Sequence, residues 1–421
     1  MRTMKDSGIE WVGQIPEKWS LVPIRAVFEE VTDKNFDGSV KNALKFTYGE
    51  IVPKTNFEAD DDDYVANTIL NYTVVEPGTI MLNGLNLNFD FVSQRIGLVK
   101  NKGVITSAYM AFKPLGDRVS SEFATYLFKA YDGCKALHNM GGGVRKILNF
   151  SEFKRYYICF PTRFEQQVIV DFLDSKCAEI DALSADIQSE IDTLEAYKRS
   201  VITEAVTKGL DNTVPMKDSG IEWVGQIPAT WDIKKGKYCL RYVQKPTKPD
   251  DDVITCFRDG EVTLRKNRRE EGFTISLKEI GYQGIDVGDL IVHGMDGFAG
   301  AIGISDSRGK ASPVLNVLDT DNNKRYIMYY LRSLAFNGVF LALSTGIRVR
   351  TCDTNWGKLR ELLYVIPPKK EQDIIVQFID DRLNATDEII AQKQEQLTVL
   401  AEYKKSIIYE YVTGKKEVPN D

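Results

Sequence analysis

Two stretches of the 421-residue chain carry apolar residues in the alternating four- and three-residue spacing of a coiled-coil seam. In residues 161–209 the two rows consist of Leu173, Ile180, Ile187, Leu194 and Val201, and of Cys177, Ser184, Ile191 and Lys198. In residues 367–415 they consist of Ile379, Thr386, Lys393, Leu400 and Ile407, and of Leu383, Ile390, Leu397 and Lys404. Each seam is strong where the other is weak. We therefore predict two long helices that pair antiparallel through their apolar residues; the alternative is two separate amphipathic helices, each lying on its own domain.

The rest of the chain has the pattern of short strands with a few helices. Residues 71–82 (NYTVVEPGTIML) and 284–292 (GIDVGDLIV) each indicate two strands around a glycine turn. Each is followed by a loop that contains glycine, and the first loop is also rich in asparagine. Helix-like segments follow at 121–131 and 324–336. We predict an α+β fold with two strand-rich domains at 1–160 and 210–366, and spacer helices at 161–209 and 367–415.

An internal repeat orders these elements. Residues 4–19 read MKDSGIEWVGQIPEKW, and residues 216–231 read MKDSGIEWVGQIPATW. The two spacer helices also share the ending YK-x-S-x-I-x-E-x-VT. A repeated frame around two dissimilar blocks indicates a duplicated unit, and therefore a pseudo-twofold scaffold that presents two different specificities.

Composition and charge limit the class of protein. A hydrophobic content of 43% is ordinary for a soluble protein, and six cysteines without a CxxC pair are typical of reduced thiols in a cytoplasmic protein. The net charge of -6 is unevenly distributed. Residues 20–160 hold 16 basic and 16 acidic side chains, 232–366 hold 21 and 17, and 162–208 hold 5 and 10. The two blocks can therefore bind an anionic partner through local basic faces although the whole chain is acidic.

The SGIEWVGQIP head, the IP-x-x-W ending and the P…EQ…YK-x-S-x-I-x-E-x-VT tail each occur twice. In this order they resemble the DNA-specificity subunit of Type I restriction-modification systems, over the whole chain. The resemblance implies that each block is a target-recognition domain for one half of a split double-stranded DNA site. It also implies that the helices separate these domains and dock two methyltransferase subunits, which restriction subunits join. The chain itself would be non-catalytic and bind no cofactor, with S-adenosylmethionine held by the methyltransferase.

Candidate DNA contacts lie in loops and basic clusters. Asparagine and arginine side chains can read base edges, and cations contact phosphates. The first block offers Asn83, Asn86, Asn88, Arg95, Arg145 and Lys146. The second block offers Arg265, Lys266, Arg268, Arg269, His293, Arg348 and Arg350. For each group the alternative is an ordinary solvated turn or charged face, and the acidic run at 60–63 is interpreted as a solvated loop.

Catalytic and metal-binding signals are missing from the sequence. The segment 303–311 (GISDSRGKA) lacks the spacing of a phosphate-binding loop, and two histidines offer little for a triad or a metal site. The tryptophans at 11, 19, 223 and 231 fall inside the repeated heads, so we expect them to pack where a recognition domain meets a helix. The main alternative function is a non-DNA scaffold built on a coiled coil, and a nuclease is a third reading.

Overall fold

The structure is a computed structural model that describes residues 2–54, 69–91, 94–268, 279–343 and 354–419. Its contacts divide the chain into two compact units. The first unit combines Met1–Ile187 with Glu395–Asp421, and the second comprises Gln188–Gln394. Each unit therefore contains one strand-rich block together with part of both long helices.

The first unit contains twelve described strands. They are β1 (Met4–Asp6), β2 (Gln14–Pro16), β3 (Ser20–Pro23), β4 (Phe28–Glu30), β5 (Leu44–Thr47), β6 (Glu50–Pro53), β7 (Thr73–Val75), β8 (Ile80–Leu82), β9 (Ile96–Leu98), β10 (Gly103–Ile105), β11 (Met110–Pro114) and β12 (Tyr157–Phe160). Its described helices are α1 (Ser121–Gly133) and α2 (Phe150–Phe153), with 3-10 turns at Ile24–Ala26 and Ala136–Asn139. The chain then enters the long helix α3 (Arg163–Lys208).

The second unit repeats this series of elements. Its described strands are β13 (Met216–Asp218), β14 (Gln226–Pro228), β15 (Asp232–Lys235), β16 (Arg241–Tyr242), β17 (Ile254–Cys256), β18 (Val262–Leu264), β19 (Gln283–Ile285), β20 (Leu290–His293), β21 (Ile302–Ile304), β22 (Gly309–Ala311), β23 (Leu315–Asp319) and β24 (Leu363–Ile366). Its described helices are α4 (Gly236–Cys239), α5 (Lys324–Phe336), α6 (Val339–Ala342) and α7 (Trp356–Leu359), with 3-10 turns at Arg265–Asn267 and Gly297–Ala299. The long helix α8 (Lys369–Val412) follows.

The described strand pairs of the two units correspond one to one. The central sheet has the order β4-β11-β8-β9 in the first unit and β16-β23-β20-β21 in the second. The four two-stranded pairings β1-β2, β3-β12, β5-β6 and β7-β10 recur as β13-β14, β15-β24, β17-β18 and β19-β22. All are antiparallel. Two blocks with little sequence similarity therefore share one topology.

Local sequence explains several of these elements. Gly78 and Gly288 take left-handed backbone angles (φ 88° and 86°) in the turns before β8 and β20, as the predicted glycine turns require. The amide oxygen of Asn323 accepts hydrogen bonds from two backbone N–H groups in the first turn of α5 and caps it. Asn149 and Asn355 cap α2 and α7 at equivalent positions of the two units, and each side chain accepts from one backbone N–H group. The strands around both turns, and the helices predicted at 121–131 and 324–336, are confirmed.

The long helices run antiparallel within each unit. In the first unit, Lys404 Nζ lies 2.6 Å from Asp181 Oδ1, and the rings of Phe172 and Tyr411 lie 4.5 Å apart. Residue numbers therefore fall along α3 as they rise along α8, so the two helices run in opposite directions. In the second unit, Lys198 Nζ lies 2.5 Å from Asp387 Oδ1 and Lys393 pairs with Glu190, so the residue numbers again run in opposite directions along the two helices. The predicted antiparallel coiled coil is confirmed for the part of the helices that each unit contains.

The predicted seam residues are all buried or half-buried. The buried members are Leu173, Cys177, Ile180, Ile187, Ile191, Val201, Ile379, Thr386, Ile390 and Ile407, and the half-buried members are Ser184, Leu194, Lys198, Leu383, Lys393, Leu397, Leu400 and Lys404. The second seam has three polar positions, Thr386, Lys393 and Lys404, and Lys404 forms the ion pair with Asp181 described above. The hydroxyl of buried Thr386 donates to Arg382 O, and Lys393 forms an ion pair with Glu190. Among the described residues, no helix is long and apolar enough to cross a membrane.

Candidate functional site

Two loops of the first unit pack into one surface, which we call the first loop cluster and define as residues 83–91 and 141–148. Leu148 N donates to Gly84 O (2.9 Å), and Leu87 N donates to Lys146 O (3.1 Å). A side chain at Gly84 would place its Cβ 2.2 Å from Leu148 O, so this approach requires glycine. The structure thus brings together two loops that the sequence proposed separately as DNA contacts.

The predicted contacts of this cluster differ in accessibility. Asn86 and Arg145 are exposed. Asn88 is half-buried and donates its amide to Val144 O, and Lys146 is half-buried with its ammonium group directed at His138 O. Asn83 is half-buried as well, and its Oδ1 accepts from Leu85 N (3.2 Å).

Arg95 has a different role from the one predicted. Its side chain is fully buried, and its guanidinium donates to Asn83 O (3.0 Å), Leu85 O (2.8 Å) and Asp90 O (2.8 Å). These bonds use the donors that a base contact would need. The prediction that Arg95 reads a base is therefore wrong: Arg95 holds the loop that carries the asparagines.

Exposed aromatic residues lie in and beside the first loop cluster, and the sequence did not identify them as candidates. Phe89 is 73% exposed and Phe91 55% exposed, and the Phe91 ring stacks on His138 at 4.7 Å. Tyr48, at the turn between β5 and β6, is 87% exposed. A Cβ at Gly49 in this turn would lie 2.6 Å from Gln94 Oε1, so the turn packs against the end of the Arg95 loop. The residues occur in loops, where no periodic pattern distinguishes them.

The second unit places an equivalent loop after β20. Gly294 O accepts from Thr354 N (2.8 Å), as Gly84 O accepts from Leu148 N in the first unit. His293 N likewise donates to Ala301 O (3.0 Å), as Asn83 N donates to Arg95 O (2.9 Å). His293 and Asn83 therefore occupy the same place in the two sheets. The proposed contacts Arg269, Arg348 and Arg350, and the acidic run at 60–63, lie outside the described residues.

A cavity of about 650 Å³ in the second unit gathers three of the predicted residues, Arg265, Arg268 and His293. Its wall also includes Phe257, Arg258, Asp259, Tyr282 and Asp296. Arg268 lies 2.5 Å from Asp259 and 3.0 Å from Glu261, and its guanidinium lies 4.3 Å from the centre of the Phe257 ring. Arg258 pairs with Asp296 at 2.9 Å. Lys266, the remaining predicted contact that the structure describes in this unit, lies 2.5 Å from Asp252.

His293 is held by the backbone of its own loop. Met295 N and Asp296 N donate to Nδ1, at 3.2 and 3.0 Å. Burial lowers the pKa of His293, and the positive charge of Arg258 acts in the same direction, while Asp296 opposes the shift. The ring is therefore neutral near pH 7.

The repeated heads pack where each domain meets the long helices. The Nε1 of Trp19 lies 3.3 Å from Glu165 Oε1 at the start of α3, and the Nε1 of Trp231 lies 3.0 Å from Glu371 Oε1 at the start of α8. Both tryptophans are buried. The predicted packing is confirmed for these two residues. Trp11 is half-buried against Tyr131, at 5.9 Å between ring centres.

The prediction that the head tryptophans are buried is wrong for Trp223, which is 38% exposed.

The long helices also expose apolar residues at matching positions. The pairs, each separated by 206 residues, are Val168 and Ile374, Leu183 and Ile389, and Tyr197 and Tyr403. In the first unit, Tyr403 and Leu183 lie within two residues of the Lys404–Asp181 pair and therefore at the same level along the helices. Each unit thus carries three exposed apolar side chains at equivalent positions, contributed by both helices.

Known proteins are similar to this chain in sequence. A sequence profile described as the Type I restriction modification DNA specificity domain matches residues 87–193. The Type I restriction enzyme StySPI specificity subunit of Salmonella potsdam is 20% identical over 96% of this chain and 90% of its own length. The putative type I restriction enzyme MjaX specificity subunit of Methanocaldococcus jannaschii is 22% identical over 97% and 96%.

A solved structure has the same fold. It is a chain from a study of complex assembly and conformational transition of the type I R-M system, with a TM-score of 0.68 and 13% identity, and the similarity covers 96% of this chain and 99% of that one. The matched domain, the relatives of similar length and the duplicated frame confirm the resemblance seen in the sequence. Over nearly its whole length the chain is therefore similar to specificity subunits of Type I restriction enzymes, and residues 87–193 match the Type I restriction modification DNA specificity domain.

Proposed function

We propose that each unit of this chain reads one half of a bipartite, asymmetric site in double-stranded DNA. The observation that carries the proposal is the pairing of identical topology with different loops: the central sheets have equivalent strand orders, but the loops after β8 and β20 differ in sequence. A shared scaffold fixes where each loop meets the duplex, and the loop residues select the bases. The first loop cluster serves one half-site, and the cavity surface of the second unit serves the other.

Electrostatics supports contact with the DNA backbone in both units. Exposed Arg145 stands beside the asparagine loop of the first unit, where it can neutralise a phosphate. In the second unit Lys266 is exposed but paired with Asp252, so phosphate contact there would exchange one anionic partner for another. Binding by the assembled complex should weaken as salt concentration rises, because bound cations return to the DNA.

The second part of the proposal is that the long helices dock two copies of one methyltransferase subunit. Val168, Leu183 and Tyr403 of the first unit have apolar counterparts in the second, so the chain offers a similar apolar surface twice. Exposed apolar and aromatic clusters are typical of protein interfaces. S-adenosylmethionine would be held by the methyltransferase, restriction subunits would join this core, and the complex would work in the cytoplasm.

An exchange of recognition blocks tests whether each unit reads one half-site independently of the other. Residues 20–160 are replaced by the corresponding block of a relative with a different DNA site, and the complex is reconstituted with its methyltransferase. Binding to a library of split sites should change in one half of the motif and remain unchanged in the other. Replacement of residues 232–366 is the matched control and should change only the other half. A change in both halves after either exchange would overturn the proposal.

A further inference from the structure

Asn83 and His293 occupy equivalent positions, and both side chains are anchored to the backbone in the same way. Each follows the last apolar residue of an inner sheet strand and precedes a glycine, Gly84 or Gly294, that accepts a backbone hydrogen bond. The Oδ1 of Asn83 accepts from the N–H of Leu85, and the Nδ1 of His293 accepts from the N–H of Met295, both at 3.2 Å. Two unlike side chains therefore make one anchoring contact, each with the residue two positions further on.

This anchor fixes which atom of each side chain can donate. An Nδ1 that accepts backbone hydrogen bonds carries no proton, so the proton of the neutral His293 ring is on Nε2. An Asn83 oxygen that faces Leu85 N leaves the two N–H groups of Nδ2 on the other side. In the described part of the chain neither Nε2 of His293 nor Nδ2 of Asn83 has a hydrogen-bond partner, and neither atom is among the buried unpaired ones. Both are accessible donors in a fixed orientation.

The surroundings of His293 favour an uncharged acceptor. The guanidinium groups of Arg258 and Arg268, which line the same cavity, are paired with Asp296 and Asp259. Their charges are therefore compensated within the wall, and the carboxylates would repel a phosphate. A neutral donor flanked by compensated ion pairs suits the edge of a base better than the DNA backbone.

We propose that Asn83 and His293 are paired specificity residues, and that each donates a hydrogen bond to an acceptor atom on the major-groove edge of a base in its own half-site. The inference rests on the proposed function. The acceptors available there are N7 of either purine, O6 of guanine and O4 of thymine, whereas cytosine offers only a donor. Each residue should therefore exclude cytosine at one position of one strand. The difference in reach between an imidazole and an amide helps to make the two half-sites unlike.

Atom-level substitution in the DNA tests the contact. The full chain, in complex with its methyltransferase, is titrated with DNA duplexes that carry single base replacements in the second half-site, the one that the second unit is proposed to read. The replacements are 7-deazapurines, which lack N7, 2-aminopurine for guanine, which lacks O6, and 4-thiothymine, in which sulfur replaces O4 and is a weaker acceptor. For the unmodified protein one replacement should reduce affinity about three- to tenfold, the effect of one lost hydrogen bond. For His293→Ala the same replacement should have no further effect, while all first half-site preferences remain.

Further variants separate a base contact from a structural role. His293→Asn should keep the exclusion of cytosine, because Asn83 shows that an amide can make the same anchor and retain a donor. Asn83→Ala should abolish one preference in the first half-site only. Val287→Ala, at an exposed position before the other end of β20, is the control and should leave every base preference unchanged.

The outcomes distinguish this inference from the proposed function. If the unmodified complex selects a bipartite site but His293→Ala and Asn83→Ala retain every base preference, the inference is overturned and the proposed function stands. If the unmodified complex shows no sequence preference in either half, the proposed function itself fails.

Discussion

Lys404 of α8 pairs with Asp181 of α3 at 2.6 Å, and the same pair recurs 206 residues away as Lys198 and Asp387 at 2.5 Å. One lysine lies in α3 and the other in α8, so each helix supplies the cation in one unit and the anion in the other. The duplication that is visible in the sequence therefore extends to individual side-chain contacts. Within each unit, this ion pair marks the register in which the seam residues meet.

Removal of one register pair should affect stability only slightly. The Asp181 side chain is 63% exposed and that of Lys404 is 32% exposed, so solvent screens the attraction. Lys404→Ala should lower the free energy of unfolding by about 0.2–1 kcal/mol in urea titrations. Lys405→Ala, whose described ion pair is with Glu402 of its own helix, is the matched control and should have a smaller effect. A loss of several kcal/mol for Lys404→Ala would mean that the pair is coupled to the core.

The tryptophans of the second head should differ sharply in their contribution to stability. Trp231 is fully buried, whereas Trp223 is 38% exposed. Trp231→Ala should destabilise the second unit by about 3–5 kcal/mol, because it empties a packed site and removes a hydrogen bond to Glu371. Trp223→Ala should cost about 0.5 kcal/mol or less. Thermal melting with denaturant titration measures both, and equal losses would contradict the assigned packing.

Arg95 should control the shape of the first recognition loop. Lysine keeps the charge but cannot reach the three carbonyl groups that the guanidinium bridges, so Arg95→Lys should cost about 1.5–3 kcal/mol and leave buried acceptors unpaired. Amide hydrogen exchange should then accelerate in residues 83–91. Arg145→Ala, at an exposed site, is the control and should leave exchange there unchanged. Unaltered protection in Arg95→Lys would show that the loop does not depend on these bonds.

Acid should destabilise the second unit through Asp286. Hydrogen bonds from Lys245 and Arg308 lower the pKa of Asp286 to about 2, below its ordinary value of 3.8. The folded state therefore favours the charged carboxylate, and its stabilisation is fully present above pH 3.8 and is lost as the pH falls towards 2. In Asp286→Asn the free energy of unfolding should depend less on pH between 3.8 and 2. Urea titrations from pH 5 to pH 2 measure this, and an unchanged slope in the variant would assign the acid sensitivity to other carboxylates.

Long, periodic elements could be predicted from the sequence, and loop roles could not. Helix α5 was predicted at its observed bounds because its apolar face repeats with the helical period. Arg95 was misassigned because a buried arginine that binds loop carbonyls has the same sequence signature as an exposed one. The equivalence of Asn83 and His293 was also invisible, since it depends on strand register between blocks of dissimilar sequence.

The most direct test of the central claim, that two unlike readers on one duplicated scaffold recognise a split site, is a methylome of cells that express this chain with its methyltransferase. We predict a single adenine-methylated motif with two different specified halves separated by unspecified bases. His293→Ala should relax one position in one half and leave the other half intact. A contiguous or palindromic motif, or relaxation of both halves by this one substitution, would contradict the account.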